Sequence, residues 1–177
     1  MDIFSHGLWA GAAYEAINLK FKKKFSVKWA VFWGIFPDFF SFAILFVWLL
    51  GSMALGHAVN FPKPEGAEPM PHDTFWIFRL TSLFYSLSHS LIIFLIVFGL
   101  VYLIFKRPVW VLGGWLLHIL IDIPTHSYQF YPTPFLWPVS GWKFNGFFWG
   151  TPWFLIANYL ALVIVYLLLF LKRKKRV

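Results

Sequence analysis

The sequence predicts an all-α fold: a polytopic membrane helix bundle with four transmembrane helices plus an N-terminal half-spanning helix, in a single domain over residues 1–177. Three observations predict it. Of the 177 residues, 60% are hydrophobic and 12% charged, against about 25% charged in soluble domains. Four apolar runs approach or exceed the roughly 20 residues that a membrane-spanning helix needs. The formal net charge of +8 gathers in short basic clusters at the ends of those runs. That is the pattern of membrane topology rather than of a nucleic-acid surface, so membrane lipids are the expected partners and nucleic acid is not.

The elements follow in order. Residues 5–19 (SHGLWAGAAYEAINL) are rich in small side chains, with Ser5 as the N-cap, and are marginal in length for a crossing. Residues 28–50 form the first span, interrupted at Pro37-Asp38. The segment 72–85 suits an interfacial helix on the outer leaflet. Residues 81–105 form the second span, 108–123 a shorter third and 152–171 a fourth. The loops FPKPEGAEPMPHDTFW and YPTPFLWPVSGWKFNGFFWGTPW carry Pro and aromatic residues, as an interfacial belt does.

The charges orient these elements. Lys20, Lys22, Lys23, Lys24 and Lys28 precede the first span, Lys106 and Arg107 follow the second, and 172–176 (KRKKR) close the fourth. Placing all of them in the cytoplasm makes alternate helix ends agree, with only Lys63, Arg79 and Lys143 outside. The chain is then expected in the inner membrane, with Met1 and the 51–80 and 124–150 loops extracytoplasmic. The basic tail reads as a stop-transfer signal. No basic region precedes the first apolar run, so no cleavable signal peptide is expected. The absence of cysteine excludes disulfides and thiolate metal sites.

Ionisable groups within membrane helices are rare and mark function by default. Five stand out: His6, Asp38, His89, His118 and Asp122. At about 1.5 Å per residue, His6 lies about 21 Å from Lys20, Asp38 about 15 Å from Lys28 and His89 about 25 Å from Lys106. His118 and Asp122 lie about 16 and 22 Å from Arg107. Residues from four sequence-distant helices thus reach one level in the outer half of the bilayer. Singly, each has a structural explanation. His118 and Asp122, four apart, could share an intrahelical hydrogen bond, and Asp38 could cap a helix restarting at Pro37. His89 could be a core histidine and His6 a helix-start residue. Jointly they suit a metal: imidazole and carboxylate are zinc ligands, and two aspartates at low dielectric repel unless a cation joins them. One or two ions are expected: the number of ligands exceeds what one catalytic zinc takes from protein, and a pair bridged by one carboxylate is an arrangement suited to phosphoester hydrolysis.

These residues also carry a resemblance. The opening Met1-Asp2-x-x-Ser5-His6, Pro37-Asp38, Ser88-His89-Ser90, His118-x-x-x-Asp122-x-x-Thr125 and Trp137-Pro138-Val139-Ser140 followed by Trp142-Lys143-Phe144 resemble, in order and spacing, the YdjM-like inner-membrane proteins described as membrane-bound metal-dependent hydrolases. The resemblance runs from Met1 to about Phe144. It departs before His89, where Phe84-Tyr85-Ser86-Leu87-Ser88 replaces the family's His-Arg-Gly-x-Thr; Arg79 and Lys143 are the remaining candidates for a phosphate-binding cation. A more distant similarity is to the zinc-dependent phospholipase C and P1 nuclease group. By that analogy Asp38, His89, His118 and Asp122 bind one ion, and Asp2, His6 and Asp122 a second.

His126, one turn past Asp122 and beyond Pro124, is open to three roles: a further ligand, a general acid or a surface residue. Thr125 suits a partner to a ligating carboxylate. His57 and His72 are expected to be structural or solvent-exposed. The expectation is a membrane-embedded metal-dependent hydrolase, zinc-bound with manganese as the alternative, cleaving a phosphoester of a lipid or lipid-linked substrate on the extracytoplasmic side. Its catalytic residues would be Asp38, Asp122 and His126. A proton or metal-ion transporter and a non-catalytic membrane scaffold are the alternatives. The transporter would need polar residues in the cytoplasmic half of the helices, which the sequence does not supply.

Overall fold

A computed structural model describes residues 1–57 and 76–175. Within them the chain is helical: α1 (Ile3–Phe21), α2 (Val27–Ala54), α3 (Trp76–Ser88), α4 (Leu91–Phe105), α5 (Gly113–Thr125, led in by a 3₁₀ turn at Trp110–Leu112) and α6 (Pro152–Lys174). No strand forms among the described residues. The all-α expectation holds.

The count of crossings is less simple than the apolar runs suggested. Helices α2 and α6, of 28 and 23 residues, are long and apolar enough to cross a membrane. The 81–105 run is not one helix: α3 and α4 meet at a 61° bend and make a third crossing only as a broken pair. Helix α5 is short. The bend has a local cause. Ser90 leaves helical geometry to cap α4, its Oγ accepting from Ile92 N at 3.1 Å and Ile93 N at 3.2 Å. The same hydroxyl donates to Trp137 O, and Leu91 N donates to Phe135 O at 2.9 Å. Proline-rich loop backbone therefore supplies the partners that an unbroken helix would supply itself. The expected interfacial helix at 72–85 lies partly outside the described residues. Its described part is α3, which buries Ile77, Thr81, Tyr85 and Ser88 along one face.

The expected interruption at Pro37 does not occur, because α2 continues through it. Asp38 is a mid-helix residue, not the cap of a restarted helix. The carbonyl of this proline ties α2 to the end of α3: Pro37 O accepts from Ser41 Oγ at 2.7 Å and Ser88 Oγ at 3.2 Å.

Helix α1, at 19 residues, is longer than the sequence pattern suggested. It turns back into α2 through Asn18, whose side chain accepts from Phe25 N at 2.9 Å and donates to Phe25 O at 2.8 Å. It runs alongside α6. Asn158 donates to Ser5 Oγ at 2.7 Å and accepts from Trp9 Nε1 at 2.8 Å, and Tyr166 OH donates to Leu8 O at 2.9 Å. Lys20 and the α6-end residues Lys172 and Lys175 line one recess, so the basic ends of α1 and α6 share a side of the bundle.

Small residues let α1, α2 and α5 approach closely. A Cβ on Gly34 would lie 2.7 Å from Ala10 Cβ and 3.0 Å from His6 O, and one on Gly114 would collide with Ala30 O. Because that obstacle is backbone, it cannot swing aside. Gly114→Ala is therefore expected to lower stability by at least the roughly 1–3 kcal/mol of overpacking, read as a lower unfolding temperature in detergent. Beside this contact Trp115 packs with Phe94, Leu112 and Ile119 and donates from Nε1 to Ser88 O at 2.6 Å. Trp115, one helical turn before His118, thereby fixes the end of α3 and with it His89.

Candidate metal centre

Asp38 of α2, His89 at the α3–α4 bend, and His118 and Asp122 of α5 converge. One ligand atom from each lies within 4.8 Å of all the others. His89 Nε2 is 3.5 Å from Asp38 Oδ1 and 3.5 Å from Asp122 Oδ2. His118 Nε2 is 3.7 Å from Asp38 Oδ1 and 3.2 Å from Asp122 Oδ2. The two Nε2 atoms are 3.1 Å apart. The side chains of His89, His118 and Asp122 are fully buried; that of Asp38 keeps 14% exposure.

The backbone decides which ring nitrogens face inward. His118 Nδ1 lies 2.7 Å from Gly34 O, which can only accept, so Nδ1 carries the proton. His89 Nδ1 lies 3.1 Å from Tyr85 O and 2.9 Å from Ser88 Oγ, and the carbonyl assigns the proton there as well. Tyr85 stacks on the His89 ring at 3.8 Å and is itself held by its hydroxyl donating to Tyr131 O at 2.9 Å. His6 stacks on His118 at 3.6 Å. Two nitrogen lone pairs and two carboxylates therefore aim at one buried point. Without a cation they repel; with one, every group is satisfied. The four residues can hold a metal ion, and the carbonyls behind the imidazoles are the outer partners that orient metal-binding histidines.

Asp122 faces two ways. Its Oδ2 belongs to the four-residue cluster and makes no hydrogen bond. Its Oδ1 lies against the Met1 amine, 2.8 Å from His6 Nε2 and 3.4 Å from His126 Nε2. His6 Nε2, for all its closeness, is not aligned to hydrogen-bond, and both its ring nitrogens are buried without a hydrogen-bond partner. His126 donates from Nδ1 to Tyr131 O at 2.7 Å, which turns Nε2 toward Asp122 and to 3.0 Å from the Met1 amine. Of the three roles open to His126, the surface one is excluded by its burial.

Asp2 is placed differently from the sequence-based expectation. Its carboxylate caps α1, accepting from Ser5 N at 3.0 Å and Ser5 Oγ at 2.6 Å, and takes a further bond from Tyr159 OH at 3.0 Å. A short side chain at the first turn meets the free amides of its own helix sooner than a distant cluster. Thr125 likewise does not orient a carboxylate; its hydroxyl donates to Ile121 O at 2.9 Å. His57 is exposed, as expected, and His72 lies outside the described residues. Arg79 is exposed on α3. Lys143 is half-buried in the loop before α6, where burial lowers its amine below the ordinary lysine range.

Several contributors escaped the sequence reading. Ser41, whose hydroxyl lies 2.8 Å from Ser88 Oγ, braces the residue beside His89. Asn158 interrupts an otherwise apolar run, a signal visible in the sequence, and ties α6 to the start of α1 next to His6. Loop backbone closes the end of α5: Gly146 N donates to His126 O at 2.8 Å, Phe147 N to Pro124 O at 3.0 Å and Trp149 N to Thr125 O at 3.1 Å. No family model, curated protein or solved structure matches the chain.

Proposed function

We propose that this chain is a membrane-embedded, zinc-dependent hydrolase acting on a phosphoester of a lipid or lipid-linked substrate, a member of the YdjM-like group its motifs resemble. The observation that carries the reading is the spacing of the four ligand atoms. Tetrahedral zinc with ligands at 2.0–2.1 Å sets them about 3.3 Å apart; the four histidine–carboxylate separations and the histidine–histidine one run from 3.1 to 3.7 Å, and the two carboxylates lie within 4.8 Å of each other. Two neutral imidazoles and two carboxylates also balance a divalent charge. Manganese, which prefers oxygen ligands, fits this mixed set less well.

The two-sided environment of Asp122 supports a second ion, with His6, His126 and Asp122 Oδ1 as its ligands in place of the Asp2 set. The chemistry such ions would supply when bound is polarisation of a phosphoryl oxygen and a lowering of a water's pKa to near neutrality. The protein residues do the rest. Asp38, the one partly exposed member of the cluster, marks where substrate enters. Asp122 couples the two halves of the site. His126, held by Tyr131 O with its Nε2 turned toward Asp122, belongs to the second set of ligands.

The reading extends to the membrane. The α3–α4 pair and α5 would complete four crossings with α2 and α6, and α1 would be the half-span. The basic ends would lie in the cytoplasm and the site toward the extracytoplasmic side. The test is metal analysis of protein purified in detergent, with hydrolysis of phospholipid in mixed micelles. Stoichiometric zinc and chelator-sensitive hydrolysis are expected. Absence of bound zinc, with His118→Ala and Asp122→Ala behaving like the parent, overturns the proposal.

A further inference from the structure

The basic ends of α1 and α6 enclose a recess of about 500 Å³, within the roughly 300–1,000 Å³ of small-molecule sites. Its walls are Ala16, Leu19 and Lys20 of α1, Leu169 and Lys172 of α6, and Lys175 at the C-cap of α6. On each helix these positions recur at three- and four-residue intervals, so each helix presents one face to the recess. The two faces are built alike, with apolar residues inward along the helix axis and lysines at the rim. Lys172 and Lys175 stand about 4.5 and 9 Å beyond Leu169, and Lys20 about 6 Å beyond Ala16, at 1.5 Å per residue. All three lysines are exposed. Lys20 Nζ rests 5.2 Å from the centre of the Phe21 ring, a contact that leaves its charge unneutralised. Among the described residues no carboxylate lines the recess; Glu15, the nearest to Lys20 in sequence, is not one of its residues.

The recess carries more positive charge than the helix ends take up. Both helices end here, and each C-terminus contributes about half a negative charge, so the three lysines leave a surplus of about two positive charges. A stop-transfer signal needs lysines near the bilayer surface. It does not need lysines from two helices to meet around a hollow with an apolar floor.

We infer that this recess binds an anionic phospholipid, with the phosphate among Lys20, Lys172 and Lys175 and the first carbons of the chains over Ala16, Leu19 and Leu169. The occupant follows from the order of chemistries along the axis. Helix α6 is long and apolar enough to cross a membrane, so a crossing puts its charged end at headgroup level and its apolar residues in hydrocarbon. A bilayer lipid has the same order, phosphate outward and chains inward. A free phosphate would use the lysines and leave the apolar floor bare, and a zwitterionic lipid brings a cation of its own to the lysines. The site goes beyond the hydrolase reading and shares no residue with the metal centre. It holds whichever side of the membrane the basic ends face. A lipid seated there bridges the end of α1 to α6.

The test is native mass spectrometry of the full chain, titrated with phosphatidylglycerol or with phosphatidylcholine of the same chains. Chelator keeps the protein metal-free, so that no bound ion draws phosphate to the other site. Phosphatidylglycerol is expected to bind roughly tenfold more tightly than phosphatidylcholine, and excess inorganic phosphate is expected not to displace it. A lysine near an anionic headgroup is worth about fivefold in affinity. The triple variant Lys20→Gln, Lys172→Gln, Lys175→Gln is therefore expected to lose on the order of a hundredfold. A second triple, Lys22→Gln, Lys23→Gln, Lys24→Gln, removes the same charge outside the recess and is expected to keep most of the binding. Ala16→Trp, at an exposed position that tolerates bulk, fills the apolar floor with every charge in place and is expected to cost about tenfold. Equal affinity for the two lipids, equal loss in the two lysine triples, or displacement by inorganic phosphate overturns the inference. So does an Ala16→Trp variant that binds like the parent.

Discussion

Asp122→Asn is expected to remove bound zinc from the purified protein, while Asp2→Asn leaves zinc unchanged. The contrast follows from where the two carboxylates sit. Asp122 is fully buried and meets His89 and His118 through Oδ2 and His6 and His126 through Oδ1. Asparagine keeps the shape but presents a neutral amide, a poor zinc ligand on either side. The loss should exceed the roughly 10–100-fold that removing an outer partner of a ligand costs. Asp2 instead bonds Ser5 and Tyr159 at the start of α1, and asparagine caps a helix about as well as aspartate. Zinc per chain for the two variants, measured beside the parent, decides the matter. If Asp2→Asn loses metal and Asp122→Asn keeps it, the site has been assigned to the wrong carboxylate.

The candidate centre was largely legible in the sequence because the bilayer makes polar residues conspicuous. His6, Asp38, His89, His118 and Asp122 stood out against apolar neighbours, and counting residues from the basic ends put them at one level. The structure brings all five together. Local competition for hydrogen bonds was not legible in the same way. Asp2 was placed in the site by analogy, yet the free amides of its own first turn claim it. Residues 81–105 looked like one crossing because apolar composition does not reveal a bend. That bend depends on Phe135 and Trp137 carbonyls that lie more than forty residues away in sequence. Pro37 misled in the opposite direction. It suggested an interruption, but α2 runs through it without a break. Composition and period identified the elements; hydrogen-bond partners, local at Asp2 and distant at the α3–α4 bend, decided the detail.

Asp38→Asn is expected to change the sign of its effect on stability when zinc is added. Without metal, the parent buries two carboxylates and two imidazole lone pairs against one another, with the two Nε2 atoms 3.1 Å apart. Replacing one carboxylate by an amide of similar size relieves part of that repulsion. The metal-free variant should therefore unfold at or above the temperature of the metal-free parent. Zinc reverses the order. Its ligands come from α2, the α3–α4 bend and α5, so a bound ion clamps sequence-distant elements together. At a free concentration one hundred times Kd, that linkage is worth about 2.7 kcal/mol. In a chain of this length it corresponds to a rise of roughly 5–10 °C in unfolding temperature. The variant, one ligand short, should gain far less. A hydrogen-bonded polar cluster with no metal role makes a different prediction: Asp38→Asn would destabilise the protein equally with and without zinc, and zinc would shift neither curve. Thermal unfolding in detergent, with chelator or with buffered zinc, separates the two outcomes without knowledge of the substrate.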